Sequence, residues 1–343
     1  MTLAETSKGR DNNLNVIRLV AAVMVIFSHS WPLSYGADHS DILDTFSHGQ
    51  ITFGNVAVCI FFFLGGFLIM GSAERSRTAK VFFQKRIQRL FPSLTAVILI
   101  TVLILGPLLT NISLASYFTN LDTYKYLLNI ILLPVHSLPG VFTTTAYGTT
   151  INGPLWTLPL EFCCYVFCFV MFCLHVTDRR FMKYSILLFI PAYITMFYLF
   201  ASNGPMTTAL RVAGMFYVGM LYYVYRDKIV MDARIFWVLL ILFLVSLPLN
   251  ILEYTILFSF PYMTAYVGFA KKKFHFLDGK PDISYQVYLV ACPIQQIICQ
   301  MFGGTMNSFI NFLIAAPVSI AAGWLIYEMV EKNIVLKIRA AKA

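Results

Sequence analysis

The chain has 343 residues, 59% of them hydrophobic and 12% charged, with a mean hydropathy of +0.74 and a formal net charge of +9. Soluble domains are nearer half apolar and a quarter charged, so this composition excludes an ordinary soluble globular protein. Nucleic-acid binding is excluded as well, because the positive charge falls in short clusters between apolar runs, the pattern that orients membrane proteins.

The first apolar run, 15–34, follows Lys8 and Arg10. It is longer than the apolar core of a signal peptide and contains Arg18, so it is expected to be retained as a membrane helix. It carries Arg18 and His29. Ionisable groups inside a membrane helix are costly, which makes each a functional candidate. Their eleven-residue spacing is nearly three helical turns, so both side chains leave one face, about 16 Å apart along the axis. Arg18 reads either as a snorkelling cation or as an anion-binding group. His29 reads either as a hydrogen-bonded packing residue or as a general base with a pKa near neutrality.

Further runs of spanning length follow at 50–71, 91–112, 154–175, 185–201, 208–226, 235–250, 252–270, 283–302 and 308–328, ten in all. Between the second and third runs lies a basic stretch in which Arg86 and Arg89 stand three apart. On a helix they point to one side and make a multidentate phosphate site, although anchoring on the positive face also accounts for them. The one long outer connection, 113–153, is read as a cap or re-entrant element over the outer mouth. Its Asn152-Gly153-Pro154-Leu155-Trp156 end opens the fourth run with a rigid, broken start, and Glu161 falls inside the apolar part. A carboxylate at that depth needs a partner, for which His29 and Arg211 are the candidates; a structural Glu–Arg pair is the plain alternative. The aspartates and histidines of the outer connections, Asp38, His39, Asp41, Asp44, His48 and His136, lack metal-ligand spacing and are read as solvated surface. The seven cysteines all lie in apolar segments and read as packing residues, with neither a disulfide framework nor a metal site expected.

The segments alternately assigned to the inner face hold 22 of the 25 Lys and Arg residues. This asymmetry predicts an all-α integral membrane protein of about ten transmembrane helices with both termini cytoplasmic. A single domain, 1–343, is expected, with no appended soluble domain.

Together these motifs resemble acyltransferase family 3, polytopic bacterial enzymes that O-acylate surface glycans and other substrates. The resemblance rests on Arg18 and His29, the Gly65-Gly66 pair of the second run, Arg86 and Arg89 before Pro92, and Gly153-Pro154-Leu155-Trp156 with Glu161 five residues later. Ser284, Tyr285, Tyr288 and Leu289, then Tyr327-Glu328 and Glu331-Lys332, complete it. Two departures stand out: the family often has Ser at the position of Gly65, and often a His where Ala291 and Cys292 stand. The resemblance implies an O-acetyltransferase of the bacterial inner membrane. Its donor would be cytoplasmic acetyl-CoA, and its acceptor a glycan or lipid-linked glycan, such as an O-antigen or exopolysaccharide, at the outer side. It implies His29 and Glu161 as catalytic residues, Arg18, Arg86 and Arg89 on the donor, and Trp156 and Tyr288 on the acceptor. A proton-coupled transporter or flippase of a lipid-linked sugar is the alternative use of the same buried charges.

Overall fold

The computed structural model describes the chain except residues 10, 77, 201–202, 271–273, 275–276, 278–279 and 334–343. His275, part of the basic loop after residue 270, and the C-terminal tail therefore lie outside the described residues. The described residues are helical, with two isolated bridges and no extended strand.

Ten helices of 14 residues or more fall on the ten apolar segments. They are α1 (Leu14–Tyr35), α2 (Phe53–Glu74), α3 (Ala79–Leu109), α4 (Gly153–Cys173), α5 (Arg179–Leu199), α6 (Gly204–Val224), α7 (Ala233–Ser246), α8 (Leu252–Phe269), α9 (Ser284–Met301) and α10 (Ser308–Glu331). Six of these, α1 to α5 and α10, are long and apolar enough to cross a membrane. The other four are shorter or more polar. α7 has 14 residues, below the roughly 20 needed to span, and α6, α8 and α9 carry Arg211, Glu253 and four glutamines respectively. Side-chain caps mark several starts: Thr52 accepts from Asn55 N ahead of α2, and Asn307 accepts from Phe309 N and Ile310 N ahead of α10.

The chain divides into two compact units. The first comprises Met1–Ala21, Ile42–Phe82 and Leu160–Pro281. Its centre is a backbone-to-backbone contact between α2 and α6. A methyl group added at Gly66 would lie 1.9 Å from the Phe216 carbonyl oxygen, and one at Gly219 would lie 2.2 Å from that of Phe63. Only glycine permits this approach. Arg211 of α6 is buried and pairs with Glu253 of α8, while its guanidinium donates to the Gln50 carbonyl over 3.0 Å. The carboxylate partner of Arg211 is thus Glu253 rather than Glu161. Glu253 is the second residue of α8, in its first turn.

The second unit comprises Ala22–Asp41, Phe83–Pro159 and Asp282–Ala343. The connection after α3 is a packed element in which Leu114–Thr119, Leu121–Lys125 and Tyr126–Ile131 form short helices. Tyr117, Tyr126, Val141 and Phe142 from this connection are buried against Val97 and Ile98 of α3 and Leu289 of α9. α3 takes a π-helical turn at Thr101–Leu105. Such a turn loosens the backbone ladder, and the Tyr117 hydroxyl donates to the Val102 carbonyl over 2.9 Å. Burial pushes the Tyr117 phenol up to about 12.

Candidate active site

α1 is one continuous helix that carries both Arg18 and His29, each half-buried. Three residues after His29 the helix contains Pro32, which has no N–H and so leaves the Ser28 carbonyl without its helical donor.

The surroundings of His29 belong to the second unit. Ser28 Oγ donates to Asp41 Oδ2 over 2.5 Å, and both residues are buried. Asp41 is also the carboxylate that acts electrostatically on His29. The solvated role expected for Asp41 is therefore wrong. The chain folds back after α1 and brings this side chain to Ser28, near the C-terminal end of the helix, at full burial. On the facing side Gln295 of α9 has Nε2 within 2.9 Å of the Ile26 carbonyl, Ser30 Oγ and Asn311 Oδ1. Asn311 of α10 returns an amide hydrogen to the Gln295 carbonyl over 3.2 Å. This network brackets His29 on its own helix, at Ile26 below and Ser30 above. Its members are buried, so each satisfied bond fixes the helix register, and the Gln295 Oε1 atom has no partner among the described residues.

The other sequence-predicted residues sort into three places. Glu161 lies in the first unit, half-buried on α4, where its carboxylate accepts from the Tyr165 hydroxyl one turn on. Trp156 is 36% exposed at the start of α4, in the second unit. Tyr288 is buried beneath that turn; its hydroxyl donates to the Pro154 carbonyl over 2.6 Å and lies 2.7 Å from Thr157 Oγ1. The Thr157 hydroxyl also donates to the Pro154 carbonyl over 3.2 Å, so both hydroxyls converge on that turn. Asn152 Nδ2 adds a 2.8 Å bond to the Leu289 carbonyl. α9 thus clamps the broken start of α4 that presents Trp156.

Arg86 and Arg89 sit half-buried in the first turns of α3, also in the second unit. Arg89 lies 3.6 Å from Asp282, which caps the α9 backbone by accepting from Ser284 N over 3.1 Å. Glu331 at the end of α10 is within electrostatic reach of Arg89 and bonds Gln286, which in turn donates to Ser93 over 3.2 Å. Two carboxylates, one just ahead of α9 and one at the end of α10, therefore act on Arg89. A guanidinium held this way presents its remaining N–H groups in a fixed direction, as phosphate recognition requires. Among the described residues no group of three or more His, Cys, Asp and Glu could hold a metal ion.

The acyltransferase domain family Acyl_transf_3 matches residues 11–328 of this chain. Among curated proteins, an O-acetyl transferase of Shigella phage Sf6 is 27% identical over 336 residues, covering 94% of this chain and 96% of the relative. Nodulation protein 10 of Rhizobium leguminosarum bv. viciae is 32% identical over 173 residues, covering 47% of this chain and 44% of the relative. No solved structure matches.

Proposed function

This chain belongs to the Acyl_transf_3 acyltransferase family and is an acyltransferase enzyme of the membrane, and from that premise we propose that it moves an acetyl group from acetyl-CoA to a hydroxyl of a cell-surface glycan. The observation that carries the reading is α1, one helix bearing Arg18 and a histidine flanked by the buried Ser28–Asp41 pair. The near full-length similarity to an O-acetyl transferase supports acetyl as the group transferred.

In this proposal the donor approaches from the cytoplasmic face of a bacterial inner membrane. Arg86, Arg89 and Arg18 hold its phosphates, Arg89 being pre-oriented by Asp282 and Glu331. An extended pantetheine arm is comparable in length to the Arg18–His29 spacing. The thioester then reaches His29, whose imidazole removes the proton of the acceptor hydroxyl as that oxygen attacks the thioester carbonyl. The thiolate of coenzyme A leaves and takes up that proton from the imidazolium. Asp41 orients the imidazole and stabilises its charged form, the part a carboxylate plays beside histidine in hydrolases. Glu161, tied to Tyr165, is the second carboxylate in this reading. Trp156 offers an exposed ring to a sugar face, and Tyr288 serves the acceptor through the turn that carries Trp156. In this reading both termini and the loops rich in Lys and Arg face the cytoplasm, with about ten helices embedded in the membrane.

The test is mass spectrometry of surface glycans from cells expressing the chain or its His29→Ala variant. The proposal expects one acetyl unit per repeat with the intact chain and none with the variant at equal expression. Undiminished acetylation by His29→Ala refutes the catalytic assignment.

A further inference from the structure

The first unit contains a cavity of about 550 Å3 where the segment before α1 meets the C-terminal ends of α2 and α6. Its lining includes Ser7, Lys8 and Asn12 from the segment, Arg75 just after α2, and Tyr223 and Arg226 at the end of α6. Nothing in the catalytic reading uses these residues.

Two independent features set this cavity apart from ordinary positive-face anchoring. The first is the order of its wall. Residues ahead of a membrane helix are usually loose unless tied down, and here they are tied. Thr2 and Glu5 form a reciprocal capping box, and Leu3 is fully buried. Leu3 N donates to the Ile229 carbonyl and Ala4 N to that of Arg226, each over 2.8 Å, while Met231 N donates to the Met1 carbonyl over 2.9 Å. The backbone of this wall is thereby fixed up to Ser7, and Lys8 follows it at the rim of the cavity with an exposed side chain.

The second is charge. Arg226 is engaged: it stacks on the Tyr223 ring at 4.0 Å, donates to the Tyr223 carbonyl over 2.6 Å and lies 3.8 Å from Glu74. Glu74 also accepts from the Tyr223 hydroxyl. Among the described residues Lys8 and Arg75 form no ion pair. Three cations facing one carboxylate leave two positive charges uncompensated, which matches the charge of about −1.5 to −2 on a phosphomonoester. Gly71 lets the Tyr223 ring and an Arg75 terminal nitrogen close on α2 at the cavity wall, since a methyl there would lie 2.5 Å and 3.0 Å from them.

We propose that this cavity is a second phosphate site, in which Lys8, Arg75 and Arg226 bind a terminal phosphate. Resting on the donor reading above, its first candidate source is the ribose phosphate of coenzyme A; the phosphomonoester headgroup of phosphatidic acid carries the same chemistry.

The experiment uses the full chain in nanodiscs of zwitterionic lipid, titrated with coenzyme A and with 3′-dephospho-coenzyme A. The wild type is expected to prefer coenzyme A by about tenfold or more, one charge-assisted contact being worth that much. Lys8→Gln with Arg75→Gln should bring the ratio close to one, and the single Lys8→Glu, at an exposed side chain, should lower it without threatening the fold. In the second arm, phosphatidic acid replaces part of the zwitterionic lipid. If it raises the melting temperature of the wild type and not of the double variant, while the coenzyme A ratio is the same in both, the phosphate site stands and its source is lipid. If the double variant equals the wild type in both arms, the site is overturned. A wild type that shows the coenzyme A preference yet acetylates nothing overturns the proposed function and leaves this site standing.

Discussion

Ser28 Oγ and Asp41 Oδ2 meet over 2.5 Å, thirteen residues apart in the chain and both out of contact with solvent. Ser28 is the neighbour of His29, so the bond fixes the carboxylate against the helix turn that bears the imidazole. A buried carboxylate has to be held by donors to remain charged, and a held charge is what a general base beside it needs. Asp41→Asn should lower kcat by about a hundredfold, within the usual range for acid–base contributions, with KM for acetyl-CoA little changed. Ser28→Ala should cost less, and the double variant no more than Asp41→Asn alone, because the serine acts through the aspartate. Steady-state acetyl transfer by the three purified variants, with melting curves to exclude misfolding, decides it. A double variant showing the product of both effects would separate Ser28 from Asp41.

Gln295 makes its contacts one turn below and one residue above His29 in α1. Gln295→Ala strips a donor from the Ile26 carbonyl, Ser30 and Asn311 at once. Leaving buried polar atoms unpaired costs about 1–3 kcal/mol each in the worst case. The variant should therefore melt measurably lower, and activity should fall more than stability explains. Gln295→Glu is expected to be worse than Gln295→Ala, since it brings an acceptor to three acceptors. Equal melting temperatures for Gln295→Ala and the wild type would remove the network from the account of His29.

The helices were legible in the sequence because burial in lipid demands long apolar runs; among the described residues six of the ten runs recur as helices long and apolar enough to cross a membrane, and the other four as shorter or more polar helices. Arg18, His29, Arg86 and Arg89 stand out as candidates in the sequence, since a charge in an apolar or helical context is conspicuous locally. Asp41 was not. It follows Asp38 in a short polar stretch, and nothing within that stretch distinguishes the aspartate that ends up buried from the one that stays exposed. Burial there is decided by how the chain folds back on α1, a tertiary fact. The Gln295-Gln296 pair did carry a signal that went unread. Two adjacent amides in an apolar helix must find partners, and they mark α9 as a polar spine. The partner of Arg211 was misjudged for the opposite reason: Glu161 looked better by depth, yet α8 brings Glu253 to it.

Gly65 and Gly66 are adjacent, yet their substitution should have opposite outcomes. A methyl at Gly65 would meet the Phe216 ring at 3.6 Å, an ordinary contact, whereas one at Gly66 would sit 1.9 Å from a backbone oxygen. Gly65→Ala, and the serine common in the family at that position, should be tolerated with near-normal melting and activity. Gly66→Ala forces α2 and α6 apart and should destabilise by about 1–3 kcal/mol or more, as overpacking does. Detergent melting curves of the two variants side by side test the claim, and similar behaviour of the pair would contradict the helix contact.

The Arg211–Glu253 pair is almost wholly buried, with side-chain exposures of 5% and 13%. Removing one partner strands a charge, so Arg211→Met or Glu253→Gln should each cost about 3–5 kcal/mol. Removing both, as Arg211→Met with Glu253→Leu, should recover much of that loss, because the desolvation of two charges is avoided. Expression level and melting temperature in lipid report the result. A double variant as unstable as the worse single variant would show that the pair holds α6 to α8 by more than mutual neutralisation, through the Gln50 carbonyl that Arg211 also contacts.

Tyr117 ties the outer element to the π-helical turn of α3. Its hydroxyl reaches the Val102 carbonyl where Gly106 leaves room, a methyl there lying 1.9 Å from that hydroxyl. Tyr117→Phe should lose about 1 kcal/mol, the usual net worth of such a bond. The pH dependence has a definite sign. Burial pushes the folded phenol up to about 12, above the unfolded value near 10. The folded state therefore keeps its proton where the unfolded state releases it. Stability from this group is complete below pH 10 and declines as the pH rises from 10 to 12. Melting temperatures of the wild type should fall more steeply across that interval than those of Tyr117→Phe, which has no proton to release. Parallel curves for the two proteins would mean that the Tyr117 hydroxyl is not confined when the protein is folded.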